Sequence, residues 1–434
     1  LGKMLIALAM TATVMSTAPA APTTAAPASA ATEAAAAAQV VAPLKRLNGD
    51  ALTGLSLTVG AEPYTQPMED AFALTTLDQV LSGDDRTQLP TPADDPACAS
   101  RMQSFGPTTG GVGRAFCWDA KLQGLTGETA WVPQGLATSG EARNDAAPVP
   151  TSKDALITSW SWQNPPTHSL ANSVRLSVVN LNDMRYRTVL PVWVRPDGTL
   201  SRIYGHGGGL AWSGPYLFMA TTPGWPDGTG APSAKRSAIR VFDTRRIYRH
   251  QTKLDDYQYV MPEVANFVSP DLHFDYISLD RTSTGRQALV VGDYRATWLN
   301  GQPQPLNGTR IARYAFRSAE TGDYRLGLTP TAAWESTTPT TAETHAISDV
   351  QGVQLHDGRL YVNMSAGKFV NVPYSRRFAS VDLASMTMTA RTDWGYRPED
   401  LSLWYSGTGG ELWGLTEGED QRVVYSVALD NLAP

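Results

Sequence analysis

An all-β domain, a β-propeller of about five blades with long loop insertions, is the fold class this sequence predicts, behind a signal peptide and a flexible leader. Three observations carry the prediction. A strand-turn-strand text recurs about five times after Trp131, glycine and proline punctuate it, and long helical periodicity is almost absent.

The first strands of the five repeats fall at Gln134-Gly135-Leu136-Ala137, Gly208-Gly209-Leu210-Ala211, Phe274-Asp275-Tyr276-Ile277, Gln351-Gly352-Val353-Gln354 and Glu399-Asp400-Leu401-Ser402. A second, more apolar strand follows each, from Asp154, Pro215, Gln287, Arg359 and Glu411 onward. Third strands are expected over Ser173 to Val179, Ser237 to Phe242, Thr309 to Phe316, Arg377 to Leu383 and Arg422 to Leu429. Fourth strands are expected at Tyr186 to Val194, Tyr257 to Val260 and Met386 to Asp393, and a strand from around Arg114 to Trp131 is expected to complete the last blade. The turns Trp212-Ser213-Gly214-Pro215 and His356-Asp357-Gly358-Arg359 have hairpin chemistry, because glycine takes positive φ without steric cost. The repeats start roughly 50 to 75 residues apart, longer than compact propeller repeats, so insertions are expected at Gln163 to Asn172, Pro223 to Lys235 and Ser318 to His345. A two-sheet sandwich with a second domain is the rival, but five similar units overfill one sandwich.

Ahead of the repeats, Lys3, the apolar run Met4 to Met15 and Ala18-Pro19-Ala20 have the order of a secretory signal peptide. The expected division is therefore a signal peptide over residues 1–20, an Ala/Pro/Thr-rich leader over 21–41, an N-terminal segment of unclear structure over 42–97 and the propeller over 98–434. Within 42–97, Leu52 to Val59 and Ala71 to Leu81 read as a strand and a helix. No later run reaches the roughly 20 apolar residues of a membrane helix, so no membrane span is expected. A net charge of -6 over 434 residues, without a Lys/Arg cluster, gives no footprint for nucleic acid. Cys98 and Cys117 are the only two cysteines, and in an exported chain they favour a disulfide over a reactive thiol pair. The expected location is extracellular.

In a propeller, first-strand entrances converge on one mouth. Asp275, Asp349, Glu399 and Asp400 are the candidate catalytic acids there, and Trp131, Gln134, His206, His273, His345, Gln351 and Arg397 the candidate ligand-binding residues. Two carboxylates flanking a sugar suit glycoside hydrolysis, and a histidine as general base suits a polysaccharide lyase. His206 and His345 with a carboxylate would suit a metal. The structural alternative is that such acids bond backbone amides of a neighbouring blade and that Gly207-Gly208-Gly209 only permits a tight turn. Ser139 and Ser213 lack a nucleophile-elbow setting. Asn307-Gly308-Thr309 and Asn363-Met364-Ser365 match the glycosylation acceptor rule. Tryptophans near strand ends, Trp131, Trp160, Trp162, Trp212, Trp225, Trp394 and Trp404, offer faces for sugars or filling between blades.

The phrases Phe116-Cys117-Trp118-Asp119, Trp131-Val132-Pro133-Gln134-Gly135, His206-Gly207-Gly208-Gly209, Ile239-Arg240-Val241-Phe242-Asp243-Thr244-Arg245 and Arg397-Pro398-Glu399-Asp400-Leu401 resemble those of secreted, propeller-like actinobacterial proteins of uncharacterised function. The resemblance covers about Cys98 to Leu429. It implies export and the fold, and carries over no catalytic residue. The expected function is recognition, with cleavage left open, of an extracellular polysaccharide at the channel mouth. The alternative is a non-catalytic propeller that binds a protein or glycan at the cell surface. The sequence names neither a cofactor nor an oligomeric state.

Overall fold

A computed structural model describes residues 39–432, except 109–110, 120–129, 144–148, 165–172, 223–236, 255, 283–284, 295–297, 300–301, 304–307, 318–322, 337–346, 366–375, 406–408 and 419–420. The expected signal peptide, most of the leader and much of the three expected insertions lie outside the described residues. The protein is mostly β, and its longest described helix is Pro96–Phe105.

Among the described residues the strands fall into five groups of four antiparallel neighbours, called sheets I to V here, with parallel pairings joining I to II and III to IV. Sheet I contains Ala130–Thr138, Ala155–Asn164, Val174–Asn180 and Arg185–Val194. Sheet II contains Gly209–Ser213, Tyr216–Thr221, Ala238–Asp243 and Tyr257–Val268. Sheet III is Tyr276–Thr282, Gly285–Gly292, Arg310–Ala315 and Ala332–Ser336. Sheet IV is Val350–His356, Arg359–Met364, Arg377–Asp382 and Thr387–Arg391. Sheet V is Pro398–Tyr405, Gly410–Thr416 and Val423–Ala428, completed by Val112–Cys117. The closing strand thus ends at Cys117, while Trp131, expected at its far end, lies in the first strand of sheet I.

The first strand of each sheet packs against the first strands of its neighbours in the cyclic order I, II, III, IV, V and back to I. Apolar clusters fill the spaces between successive sheets: Phe218, Ile239, Leu289 and Tyr314 join II to III, and Tyr276, Val290, Val353 and Val362 join III to IV. Glycines permit this close approach. A Cβ on Gly208 would meet the Asp275 carbonyl oxygen at 2.0 Å, and one on Gly352 would meet the Asp400 Cα at 2.7 Å. At the predicted hairpin, Asp357 and Gly358 both take positive φ, 45° and 77°, the pattern of a type I′ turn.

The segment before the sheets forms a belt that departs from the expectation for it. Gln39–Val41 adds an outer strand to sheet IV, Leu44–Arg46 to sheet III, Thr58–Val59 to sheet II and Thr87–Gln88 to sheet I. Val112–Cys117 then closes sheet V, so the belt visits all five sheets in reverse order. The last leader residues, Gln39–Val41, are therefore strand. Leu52 to Val59 is not one strand: helix Gly49–Thr53 precedes Thr58–Val59, with Asp50 in its first turn, where a carboxylate favours the helix dipole. The helix expected over Ala71 to Leu81 is broken by Ala73–Thr75, which pairs with Ile247–Arg249. It restarts at Leu77–Val80 under a Thr76/Gln79 capping box. The Cys98–Cys117 disulfide ties helix Pro96–Phe105 to the closing strand of sheet V. No described helix is long and apolar enough to cross a membrane.

Candidate functional site

The two ends of the ring of first strands differ. At the ends where these strands finish, the strands of sheets III and IV pair directly, Asp280 with Leu355 and Arg281 with His356. The short helix Ser139–Arg143 packs across the first strands of sheets I, II and V. Its Glu141 is fully buried and accepts from Trp212 N–H at 3.3 Å and Ser402 Oγ at 3.2 Å. Burial pushes that carboxyl up to about 8 against the opposing charge of Arg281. This end is plugged.

At the opposite end three consecutive first strands are irregular. Register shifts fall between Pro133 and Leu136, between Val350 and Gly352, and between Pro398 and Leu401. A bulge leaves its extra residue unpaired and re-aims the side chain. The residues without a register partner are Gln134, Gly135, Gln351, Glu399 and Asp400. Asp349 and Arg397, just ahead of two of these bulges, hold φ of 53° and 47°, a left-handed conformation that costs a non-glycine residue roughly 1–3 kcal/mol.

The bulged side chains meet. Gln351 Nε2 donates to Glu399 Oε1 at 3.1 Å. The charge of Glu417 acts on Glu399, and Gln134, whose Nε2 donates to the Pro133 carbonyl at 2.9 Å, lies on the Glu417 side. Burial holds the Glu399 carboxyl well above the usual range, and the charges of Glu417 and Asp400 push the same way against Arg397. Glu417 is also raised by burial, opposed by Arg397 and Arg422. Arg422 braces this side by donating to the Glu417 carbonyl and to the Trp131 carbonyl, each at 2.7 Å. On the other side, Tyr294 OH donates to Asp349 Oδ1 at 3.5 Å. Glu399 and Asp349 are buried, whereas Gln351, Glu417, Tyr294 and Arg397 are half-buried and form the rim.

The structure therefore brings Gln134, Asp349, Gln351, Arg397 and Glu399 to the mouth and gives several other candidates structural partners. Asp400 is fully buried, and its Oδ2 accepts from the backbone amides of Leu136 at 3.0 Å and Leu210 at 2.8 Å. These bonds satisfy first-strand edges of two other sheets, so its role here is to hold the ring. Asp275 accepts from the Tyr294 amide at 2.6 Å and fixes the rim loop. Trp131 is buried, with Trp162 edge-on at 5.2 Å and the Arg175 guanidinium 4.2 Å over its ring, so its face is already covered. Burial lowers His206 to about 4 and keeps it neutral. His273 is exposed, and His345 and Trp225 lie outside the described residues. Asn363, half of a glycosylation match, is buried and donates to the Glu399 carbonyl at 2.7 Å. Among the described residues no three His, Cys, Asp or Glu side chains are grouped to hold a metal ion.

Glu417, Tyr294 and Ser365, whose amide donates to the Asp349 carbonyl at 3.0 Å, were not singled out from the sequence, yet each follows the second strand of its sheet. Second strands run antiparallel to first strands, so their C-terminal ends share the mouth with first-strand entrances. That geometry was available from the repeat alone. Away from the mouth, a groove of ≈ 860 Å³ lies between sheets III and IV, lined among others by Leu44, Arg46, Trp334 and Leu355 and by the Asp280–Arg313 ion pair.

No protein-family model and no curated protein matches the chain. Distant structural similarity links it to propeller proteins. A GH43_1 enzyme from Xanthomonas citri, complexed with xylose, shares 11% identity over 77% of this chain and 93% of that one, with a TM-score of 0.34. The RS223 β-xylosidase shares 9% identity over 69% of this chain and 92% of that one, with a TM-score of 0.34. An apocarotenoid oxygenase mutant from Synechocystis shares 11% identity at a TM-score of 0.30, over 68% of this chain, which spans 58% of the oxygenase's length. Superpositions this loose bear on neither the site nor its ligand.

Proposed function

We propose that the chain is an exported five-bladed β-propeller that binds an extracellular polysaccharide at the mouth of its ring. The observation that carries the reading is the meeting of Gln134, Gln351, Glu399 and Glu417 from three bulged strands and one strand end. Sugar hydroxyls both donate and accept. The cluster offers them carboxyl oxygens, two amides, a phenol and a guanidinium, with Gln351, Glu417, Tyr294 and Arg397 on the rim. Export draws its support from the order of charged, apolar and small residues at the start of the chain and from the disulfide.

Cleavage is the second reading, favoured by the proton that burial keeps on Glu399. This reading takes Glu399 as the acid and Asp349, which Tyr294 OH reaches at 3.5 Å, as its counterpart.

The test is a panel of soluble plant and microbial polysaccharides offered to the purified mature protein. Bound polymer, new reducing ends and unsaturated products are all read, with Glu399→Gln and Asp349→Asn alongside. Binding weakened tenfold or more by either substitution supports the mouth as the site. New ends lost in a variant add catalysis. If no polysaccharide binds or is cut while the protein is folded by circular dichroism, the glycan reading fails.

A further inference from the structure

We propose that the groove between sheets III and IV is a second binding site, apart from the mouth, and that it takes a small amphipathic carboxylate. The belt builds one wall. Leu44–Arg46 pairs with Ala332–Ser336 in a register that sets Arg46 opposite Trp334 and Lys45 opposite Glu335. Side chains alternate between the two faces of a strand, so Leu44, Arg46, Ala332 and Trp334 share the face toward sheet IV, and Lys45 and Glu335 take the other. Arg313, opposite Ala332 on the next strand, adds a second guanidinium. The facing wall is apolar: Leu355 comes from a first strand, and the half-buried Leu383 and Met386 come from the turn after the third. The Leu383 amide donates to the Gly358 carbonyl at 3.0 Å, which ties the two turns of that wall together. At ≈ 860 Å³ the groove has the size of a small-molecule site. Leu355 and Gln351 lie toward opposite ends of Val350–His356, so the groove and the mouth are separate.

Charge selects the ligand. Arg313 donates from Nε to Asp280 Oδ2 at 2.6 Å and from Nη1 to Thr331 Oγ1 at 2.8 Å, which fixes its plane and leaves Nη2 without a partner among the described residues. Arg46 is exposed and makes no ion pair among the described residues. The acids on the turns of sheet IV are engaged: Asp357 lies 3.4 Å from His356 Nε2, and Asp382 lies 3.6 Å from Arg359. Two guanidiniums thus share one groove with one carboxylate, Asp280, and the unmatched charge is positive. A guanidinium fork matches a carboxylate with two parallel donors. A neutral sugar would leave Arg46 unmatched, and a bare anion would leave the apolar wall wet. An anion with an alkyl body satisfies both.

The experiment is a ligand-observed NMR titration of the purified mature protein with decanoate, hexanoate, decan-1-ol and acetate near neutral pH, repeated on Arg46→Gln and Leu383→Trp. Decanoate is expected to bind at one saturable site, about tenfold or more tighter than decan-1-ol, which has the tail without the charge. It should also bind about tenfold or more tighter than hexanoate, which buries fewer methylenes, and acetate should bind weakest of the four. Arg46→Gln should abolish the preference for decanoate over decan-1-ol and leave decan-1-ol itself unchanged. Leu383→Trp, which fills the apolar wall, should weaken both. Arg46 is exposed and its strand pairs through backbone alone, and the wild-type comparison of ligands needs no variant to fold. Equal affinity for decanoate and decan-1-ol overturns the recognition of an anion. Equal affinity for decanoate and acetate or hexanoate overturns the apolar body. Decanoate binding that neither substitution alters lies elsewhere on the protein and overturns the site, as does no decanoate binding at all.

Discussion

Asp400 Oδ2 sits 3.0 Å from the Leu136 amide and 2.8 Å from the Leu210 amide, so one carboxylate on sheet V joins the first strands of sheets I and II. Closing a ring of sheets leaves much of the inward edge of its first strands without a ladder partner, and a buried amide without an acceptor is costly. The acid that looked catalytic in the sequence answers this structural demand.

Asp400→Ala is accordingly expected to destabilise the fold strongly. It orphans two buried amides, each worth about 1–3 kcal/mol. Urea unfolding is the measurement, with Asp400→Asn, which keeps an acceptor, losing less. A loss for Asp400→Ala below about 1 kcal/mol would contradict the bracing role.

Gly208→Ala tests the packing of sheet II on sheet III. The added methyl group falls 2.0 Å from a backbone oxygen of Asp275, an atom that cannot swing aside. A loss of about 1–3 kcal/mol is expected, the range for overpacking. Gly358→Ala, with nothing within 4 Å of its Cβ but a φ of 77°, isolates the backbone cost for comparison.

Stability should fall as pH rises from about 6.5 into the mildly alkaline range, Glu141 and His206 opposing each other below that. Glu141 titrates at about 8 in the folded protein against an ordinary 4.5, so between those values the folded state holds a proton that the unfolded chain has released. Each such proton contributes a slope of about 1.4 kcal/mol per pH unit, with stability greatest at the acid end of the window. His206 has the reverse sign. Lowered from 6.5 to about 4, it stays neutral while the unfolded chain takes up a proton, so stability falls again as pH drops through that range. Glu141→Gln should flatten the alkaline side of a melting-temperature profile and leave the acid side as it was.

Removing the disulfide as Cys98→Ala/Cys117→Ala should cost about 2–4 kcal/mol, because it frees the strand that completes sheet V. The same loss on reduction of the wild type would identify the bond as the source. An unchanged denaturation midpoint would mean that strand pairing alone holds the closure.

Much of the fold was legible because its signal repeats. Leu217-Phe218-Met219-Ala220 and Leu360-Tyr361-Val362 announce strands buried on both faces, and Asp357-Gly358 announces its turn. The belt was not legible, since strands of two or three residues such as Thr58–Val59 and Thr87–Gln88 are specified by the edge they join rather than by their own pattern. At the site, first-strand entrances pointed to Gln134, Gln351 and Glu399. Whether an acid bonds a backbone amide, like Asp400, or a side-chain amide, like Glu399, depends on a bulge register that no local sequence states.

The belt also fixes a timetable. Residues 39–117 are made first, yet each of their strands docks on a sheet made later, and the earliest, Gln39–Val41, waits for Thr387–Arg391. Val112–Cys117 waits longer still, for Val423–Ala428. Pairings so distant along the chain slow folding and keep strand edges bare meanwhile. A chain threaded through a membrane from its N-terminal side would have to keep that segment unpaired until Val423–Ala428 had emerged, which places peak chaperone demand late in the passage of this domain.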